Sequence, residues 1–509
     1  MTSLQTIRIL SRKSDLAVIQ ARQVGVKIEE KFSDVKIEYI TKKTLGDIDL
    51  TTPLAEMGSA GVFTDDLRND LIKNECDLAV HSWKDLPLDL GADTILAGTL
   101  ERADQRDILF VKKDQISKII KNKSIIILSS SPRRVYNLDS FIKDYLPFNS
   151  EQVLFENIRG NIPSRFKKFL EGSSDGLIMA KAAIDRLLNN NINEFQKISK
   201  LMKENINRCL WVITPLSQNP TSPGQGALGI EVRCDNLNVI NIIKSISDQK
   251  TLECVNHERN ILRAYGGGCH QKIGVSFFPT FFGLMKSKKG ETDNGDQFYS
   301  WKQHNNQLIS KERVKESEIY PPSLNVHQLF SREAIKESVQ KIDSLNNHCV
   351  WVSRKSALPA NALINKNNII WTSGMKTWKS LARRGIWVNG TADGMGENFD
   401  PKIESLTSHP WIKLTHGKAS LSKIDKTIAT YNLKELPIEE GILNKKYFYW
   451  MSATAFNYVV KQFPEIIKEK HACGPGNTYE EIKKTIKNQD QLTISLSYDS
   501  WRENLLNDS

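Results

Sequence analysis

No stretch of this 509-residue chain approaches the run of about eighteen uninterrupted apolar residues that a membrane-spanning helix requires. Near the N-terminus, Arg8, Arg12, Lys13 and Asp15 stand where a secretory signal needs an apolar run, so the cytoplasm is the expected compartment. CxxC pairs are missing too. The seven cysteines, at 76, 209, 234, 254, 269, 349 and 473, are odd in number and scattered, which argues against a disulfide framework and a zinc site. No period of tens of residues repeats, so a solenoid is not expected.

What is present is the material of an ordinary globular protein, 39% hydrophobic and 25% charged, in a chain long enough for three or four domains. The formal charge of +11 calls for an acidic partner, and nucleic acid, an anionic membrane surface and a polycarboxylate ligand all answer to it. The placement of the cations must decide.

The first third alternates strand and helix patterns. Thr6 to Ser11 reads as a strand, Ser14 as the cap of a helix whose Ala17, Ala21, Val24, Ile28 and Phe32 recur at helical spacing, and Val35 to Thr41 as the next strand. Apolar Leu78-Ala79-Val80 leads into His81-Ser82-Trp83-Lys84-Asp85, at the carboxyl end of a buried strand, where open α/β sheets hold ligands. The pattern returns with a strand over 124–128, a helix opened by Ser131 and Pro132, and a strand at 176–179 leading to a helix through Arg186. The Asn- and Lys-rich stretch 189–210 and the turn formers of 217–229 read as boundary material. Thr251 to Tyr265 reads as a helix halted by Gly266-Gly267-Gly268, and residues 276–345 as polar and irregular apart from a helix over Ser331 to Leu345. From 346 onward α/β patterning resumes.

The informative cations sit at strand-to-helix turns: Arg12 and Lys13 before Ser14, Arg133 and Arg134 after Ser129-Ser130-Ser131, Arg159 and Arg165 around Gly160-Asn161. Helix N-termini expose unpaired N–H groups, and guanidinium forks bind carboxylates in two-point fashion. Any single one is more simply a solvated surface arginine; three on one topology favour an acidic ligand. Lys84-Asp85 reads either as a surface ion pair or as a carboxylate that stabilises a cation in a cleft. His81 reads as a packed residue beside it, with no second histidine at metal-ligand spacing. A lone cysteine is usually a small apolar residue. Three glycines before Cys269, however, admit a bulky group, and a thiolate attacks electrophilic carbon.

Six segments taken in order resemble the hydroxymethylbilane synthase (porphobilinogen deaminase) family over roughly residues 5–320: ILSRKSDLAVIQA (9–21), AVHSWKDLP (79–87), SSSPRRVYNL (129–138), IRGNIPSR (158–165), GQGALGIEVR (224–233) and ERNILRAYGGGCH (258–270). The resemblance implies an α/β protein with two periplasmic-binding-protein-like lobes, 1–101 with 210–233 and 102–209, and a smaller α+β cofactor domain over 234–330. An additional α/β-like C-terminal region follows at 346–509. It implies that Cys269 forms a thioether to a dipyrromethane cofactor. Asp85 would be the catalytic carboxylate, close to pyrrole N–H groups and to the azafulvene cation left as ammonia departs. Arg12, Ser14, Gln20, Ser82, Lys84, Ser129, Ser131, Arg133, Arg134, Arg159, Arg165 and Arg186 would bind acetate and propionate side chains, and no metal is implied. The implied transferase joins four porphobilinogens head to tail and releases the linear tetrapyrrole with water, in heme biosynthesis. It is expected to be a monomer with neither nucleic-acid nor membrane partners. Each pyrrole carries two carboxylates, so an arginine-rich cleft follows from the cargo.

This chain departs from the family at three places. Ala60 stands where a lysine is usual in Gly58-Ser59-Ala60-Gly61-Val62-Phe63, Leu128-Ser129 replaces Gly-Thr, and Pro132 is atypical. Farther on, Trp351-Val352-Ser353-Arg354, Met451-Ser452-Ala453-Thr454 and Gly474-Pro475-Gly476-Asn477-Thr478 resemble uroporphyrinogen-III synthase. That implies a bifunctional alternative in which the product is cyclised on the same chain, with a partial domain expected ahead of an active one. Two other classes fare worse. A nucleic-acid binder would interleave aromatics with its cations, and a non-catalytic dicarboxylate-binding protein predicts an export signal and no cofactor cysteine.

Overall fold

In this computed structural model the described residues are 5–44, 64–267, 271–304, 314–323, 329–417, 424, 426–438 and 440–507. Contacts divide the chain into two compact units, residues 1–144 with 148–302, and 145–147 with 303–509.

Along the first unit run β1 (Gln5–Arg12), β2 (Val35–Lys42), β3 (Leu78–Ser82), β4 (Thr94–Gly98), β5 (Asp107–Lys112), β6 (Ser124–Leu128), β7 (Gln152–Glu156), β8 (Gly176–Ala180), β9 (Cys209–Ile213) and β10 (Leu228–Arg233). They form two five-stranded sheets, ordered β2-β1-β3-β10-β4 and β7-β6-β8-β5-β9. The two follow one plan. In the first, β1 lies parallel to β2 and β3 while β10 returns antiparallel between β3 and β4. In the second, β6 lies parallel to β7 and β8 while β5 is antiparallel to β8 and β9. This is the pair of periplasmic-binding-protein-like lobes expected. Because β9 pairs in the second sheet, the chain regains the first only at Leu228, later than residue 210.

Burial follows from the apolar strands. Ile7, Ile9, Val80 and Ile230 form one core with Val24 and Ile28 of the helix Asp15–Lys31. Boundary material expected over 189–210 is structured instead: the helix Gln196–Asn207 buries Ser199, Met202 and Ile206, a helical repeat hidden by the surrounding lysines and asparagines.

Residues 276–303 also differ from the irregular segment expected. They fold into an antiparallel sheet of β11 (Gly274–Thr280), β12 (Gly283–Glu291) and β13 (Gln297–Gln303). Met285 and Ser287 of β12 turn inward with Lys286 and Lys288 partly exposed beside them, while Lys289 reaches to Asn137 O and Gln218 O, so lysines on both faces hid the strand's alternation. The helix Gln249–Ala264 packs on this sheet through Cys254, Ile261 and Leu262.

The second unit holds two further sheets. Its strands are β14 (Ile319–Tyr320), β15 (Phe330–Ala334), β16 (Cys349–Val352), β17 (Ile369–Thr372), β18 (Gly390–Thr391), β19 (Trp411–His416), β20 (Thr427–Glu435), β21 (Tyr447–Trp450), β22 (Lys470–Cys473) and β23 (Leu492–Ile494). The orders are β15-β20-β19-β16-β17-β18 and β14-β21-β22-β23. The chain thus starts in the smaller sheet, builds the larger and returns. The helix expected over Ser331 to Leu345 is a correction: Phe330–Ala334 pairs antiparallel with β20, and only Ser338–Asp343 is helical. Edge pairing overrode the local pattern.

Candidate active site

The site is assembled from turns at strand ends. β3 runs out of its sheet into a single 3-10 turn, Trp83–Asp85, with Trp83 buried beneath it, so Lys84 and Asp85 stand half-buried at the carboxyl edge. Behind them Gln20 donates from Nε2 to Ser82 Oγ at 3.1 Å, which ties the helix after β1 to the end of β3. His81 is buried beside Glu231, Nε2 to Oε2 3.0 Å. Burial pushes that carboxyl up, but His81, Thr94 and Arg68 more than offset it and hold it below its usual value.

The second lobe contributes the arginines. After β6, Ser131 N donates to Ser129 Oγ, and the helix Pro132–Tyr145 begins with proline at its first position, where no N–H is needed. Arg133 and Arg134 follow at once, and both are buried. Asn161 caps the helix Ile162–Glu171 by accepting from Ser164 N at 2.9 Å. The preceding Gly160 takes φ +118, a conformation that favours glycine, and accepts from Arg165 Nε at 2.6 Å.

Several expected residues converge here. Burial lowers the Arg165 guanidinium to about 10, and Arg134, Arg159 and Arg12 push it further while Asp85 opposes them. Arg165 thus feels the charges of Arg134, Arg159, Arg12 and Asp85 together. Burial also lowers Lys84, among Asp85, Arg134, Asp107 and Arg133.

Two other arginines are spent on the protein. Arg133 donates to Asn219 Oδ1 (2.9 Å), Pro220 O (2.9 Å) and Asp107 Oδ2 (2.9 Å). Arg186, lowered to about 10 by burial, donates to Gly226 O at 2.9 Å and to Gln23 Oε1 at 3.2 Å, which bridges the two lobes. Ser14 occupies the cap position of the helix Asp15–Lys31 without capping it through its side chain.

Cys269 lies outside the described residues, as does Ala60 with residues 58–63. The approach to Cys269 is described. Arg259 donates to Pro87 O and Leu86 O, and Arg263 to Leu88 O, so the C-terminal turns of the helix Gln249–Ala264 dock on the segment just past Asp85. Gly267 takes φ +69, and a Cβ there would meet Leu88 Cδ1 at 2.8 Å. The backbone two residues before Cys269 therefore runs against the Leu88 side chain, in a conformation that favours glycine.

Sequence reasoning missed the carboxylates that hold this frame. Glu258, fully buried, accepts from Arg102 at 2.7 and 2.9 Å, from Gly224 N at 2.8 Å and from Phe277 N at 2.7 Å. Asp107, also fully buried, accepts from Arg134 at 2.7 Å as well as from Arg133. Burial would raise it, but the two guanidiniums hold it far below the carboxylate range. The available signal was an acid in an otherwise apolar strand: Asp107 opens DILFVK and Glu231 interrupts LGIEVR.

Buried donors with no partner, Nε of Arg133 and of Arg134 among them, suit a ligand rich in carboxylates. A dipyrromethane fits that description. Among the described residues no cluster of histidine, cysteine and acids could hold a metal.

Comparison with known proteins gives the same direction. Residues 7–241 match the family model for porphobilinogen deaminase, dipyromethane cofactor binding domain. A porphobilinogen deaminase of Nostoc sp. is 35% identical over 274 residues, 53% of this chain and 77% of that relative. A probable porphobilinogen deaminase of Picrophilus torridus is 34% identical over 269 residues, covering 53% and 84%. Among solved structures, a putative periplasmic sulfonate-binding protein from Methylobacillus flagellatus shares 13% identity with a TM-score of 0.28, over 52% of this chain and 78% of that one, a likeness too distant to add to the strand topology.

Proposed function

The chain belongs to the porphobilinogen deaminase family, and on that premise we propose how its own residues carry the reaction. The enzyme is a hydroxymethylbilane synthase, a transferase of tetrapyrrole biosynthesis. It condenses four porphobilinogens head to tail with loss of ammonia on a dipyrromethane cofactor, then releases the linear tetrapyrrole by hydrolysis. When bound, the dipyrromethane supplies the pyrrole carbon to which the first substrate is joined.

Asp85 is the catalytic carboxylate. Its charge, fixed at the end of β3 before substrate arrives, offsets the cation that a porphobilinogen becomes as its ammonia leaves. Arg12, Arg134, Arg159 and Arg165 bind acetate and propionate groups, and Ser14, Gln20, Ser82, Lys84, Ser129 and Ser131 line the same strand-end turns. Arg133 and Arg186 brace the frame more than they bind. Cys269 is the attachment point: its thiol carries the cofactor on the domain that follows residue 234 and holds the sheet of β11, β12 and β13. That domain ends short of the expected boundary at 330, because β14 and β15 pair in the second unit. The docking of Arg259, Arg263 and Gly267 on residues 86–88 supports delivery of the cofactor to Asp85. The observation that carries the reading is the link from the Trp83–Asp85 turn through Lys84 and Gln225 to Asp107 and the Arg133–Arg134 pair.

Two measurements test it. The intact mass should exceed that of the bare chain by one dipyrromethane, and Cys269→Ser should lose the excess. Asp85→Asn should fold, load cofactor and lose about 10²–10³ in kcat; an active D85N, or an active chain of unmodified mass, overturns the assignment. Among the described residues no helix is long and apolar enough to cross a membrane. We place the enzyme in the cytoplasm as a monomer that binds porphobilinogen and no nucleic acid, to be checked by fractionation, size exclusion and salt-dependent DNA binding.

A second reading is favoured by one observation. The three motifs that resemble uroporphyrinogen-III synthase fall at the carboxyl ends of β16, β21 and β22, where parallel α/β sheets hold ligands. On that reading the C-terminal unit cyclises the product to uroporphyrinogen III. Release of only the linear tetrapyrrole would exclude it.

A further inference from the structure

The Asp107 carboxylate takes two donors on each oxygen. Oδ1 accepts from Arg134 Nη2 at 2.7 Å and Gln225 Nε2 at 2.8 Å, while Oδ2 accepts from Arg133 Nη2 at 2.9 Å and Asn219 Nδ2 at 3.0 Å. Its acceptor capacity is filled by these four groups, so it has nothing left to offer a ligand. The two guanidiniums differ in what remains to them. Arg133 commits both Nη nitrogens, one to Asn219 and Pro220 and the other to Asp107, whereas Arg134 commits one, to Asp107; the buried Nε–H of each has no partner. One carboxylate against two cations leaves one positive charge over, and Arg134, with only one Nη committed, has the more donors to spare.

Gln225 joins this group to the reacting end of the first lobe. Its Nε2 binds Asp107 and the Gln105 carbonyl (2.7 Å), and its Oε1 faces Lys84 Nζ at 3.4 Å. The flanking glycines make that placement possible. Gly224 takes φ +78 against the backbone of Trp83 and Lys84, and Gly226 takes φ +88 against Ala103 O, where a Cβ would stand at 2.6 Å. Gln225 is almost fully buried and lies on the segment that returns the chain from β9 to β10, so it touches both lobes where the arginine pair and the Lys84-Asp85 turn come together.

We propose that Asp107 and Gln225 are positioning residues for the condensation: Asp107 divides the arginine pair into a brace, Arg133, and a binder, Arg134, and Gln225 holds the Arg134–Asp107 pair in register with Lys84 and Asp85. Neither touches substrate. The proposal rests on the assignment of Asp85 and Arg134 to the binding cleft. Fixing a guanidinium plane before the ligand arrives removes an ordering cost from binding, so the loss of either residue falls chiefly on KM.

The test uses the cofactor-loaded enzyme, with loading checked by intact mass. Gln225→Leu, similar in volume but without hydrogen bonds, is expected to raise KM for porphobilinogen about tenfold, with kcat changed less than threefold. Asp107→Asn is expected to raise it further, and the double variant to fall short of the product of the two effects, because both act on one network. Gln225→Glu supplies a readout that packing alone would not move. It sets a carboxylate beside Lys84, whose charged neighbours are Asp85, Asp107, Arg133 and Arg134, and should shift the alkaline limb of the kcat/KM profile upward, while Gln225→Leu should not. Wild-type KM in Q225L together with an unmoved limb in Q225E overturns the proposal. If Asp85→Asn is inactive in the same assay, that outcome leaves the cleft assignment standing; if Asp85→Asn is fully active, the cleft assignment itself falls.

Discussion

In the N-terminal unit the fully buried carboxylates Asp107, Glu231 and Glu258 are each clasped by arginine: Arg133 and Arg134, Arg68, and Arg102. In the C-terminal unit the strongly shifted histidines are instead kept neutral. His471, buried in an aromatic stack with Phe448 and Trp450, accepts from Trp450 Nε1 on Nδ1 at 2.9 Å and faces Ile466 O from Nε2 at 2.9 Å. Indole N–H is only a donor, so Nδ1 must be the unprotonated nitrogen. His416 has Nδ1 buried without a partner, and burial with nearby Arg354, Lys413 and Arg332 drives it down. The pair Lys413–Glu397, at 2.6 Å, shows that the C-terminal unit also contains a largely buried ion pair. The difference teaches where charge was retained: next to a cleft that must hold carboxylates, guanidiniums already fixed by buried acids are ready to bind.

The largest expected effect is on the clasped carboxylates. Glu258→Ala strands Arg102 and the N–H groups of Gly224 and Phe277 in the interior, and should cost about 3–5 kcal/mol in urea unfolding followed on the N-terminal unit. A loss below about 1 kcal/mol would break the contrast.

Mild acid should separate the two units. His416 and His471 are lowered from 6.5 to about 4, each chiefly by burial. A depressed folded value means that the stabilisation from the neutral ring is fully present above 6.5 and is lost as pH falls from there toward 4. Asp104 and Asp107 are also depressed, but far below the ordinary 3.8, so their contribution survives until pH drops beneath about 4. Limited proteolysis between pH 6.5 and 4 should therefore open the C-terminal unit first, and His471→Gln with His416→Gln should remove that early step. Simultaneous opening would contradict it.

Helix caps should show the smallest difference. Asn161 in the N-terminal unit and Ser452 in the C-terminal one each accept from the N–H three residues on, at 2.9 and 3.2 Å. Each should lose about 1 kcal/mol on replacement by alanine. Asn161→Ala should additionally raise KM, since it opens the helix that carries Arg165, whereas Ser452→Ala should leave porphobilinogen consumption unchanged.

Much of the first unit was legible because its strands are short apolar runs ended by turns rich in serine, proline and glycine. Ser131-Pro132 marked a helix start, and Leu78 to Val80 marked the buried strand that presents Lys84 and Asp85. The sheet over 274–303 was not legible, since lysines on both faces of β12 masked the alternation. Ser331 to Leu345 was misread because an edge strand takes its conformation from the partner β20, which lies about a hundred residues on.

The sequence by itself determined the chemistry available: arginines at helix starts, a carboxylate at a strand end, and a cysteine behind three glycines. Those are local properties, set by residue type and the few residues on either side. Only the tertiary structure decided which arginines remain free to bind. The counter-charge for Arg133 and Arg134 lies 26 and 27 residues away at Asp107, and the bond that ties Asp107 to the other lobe spans 118 residues to Gln225. A guanidinium's spare donors are fixed by what is packed against it, and no local pattern records that.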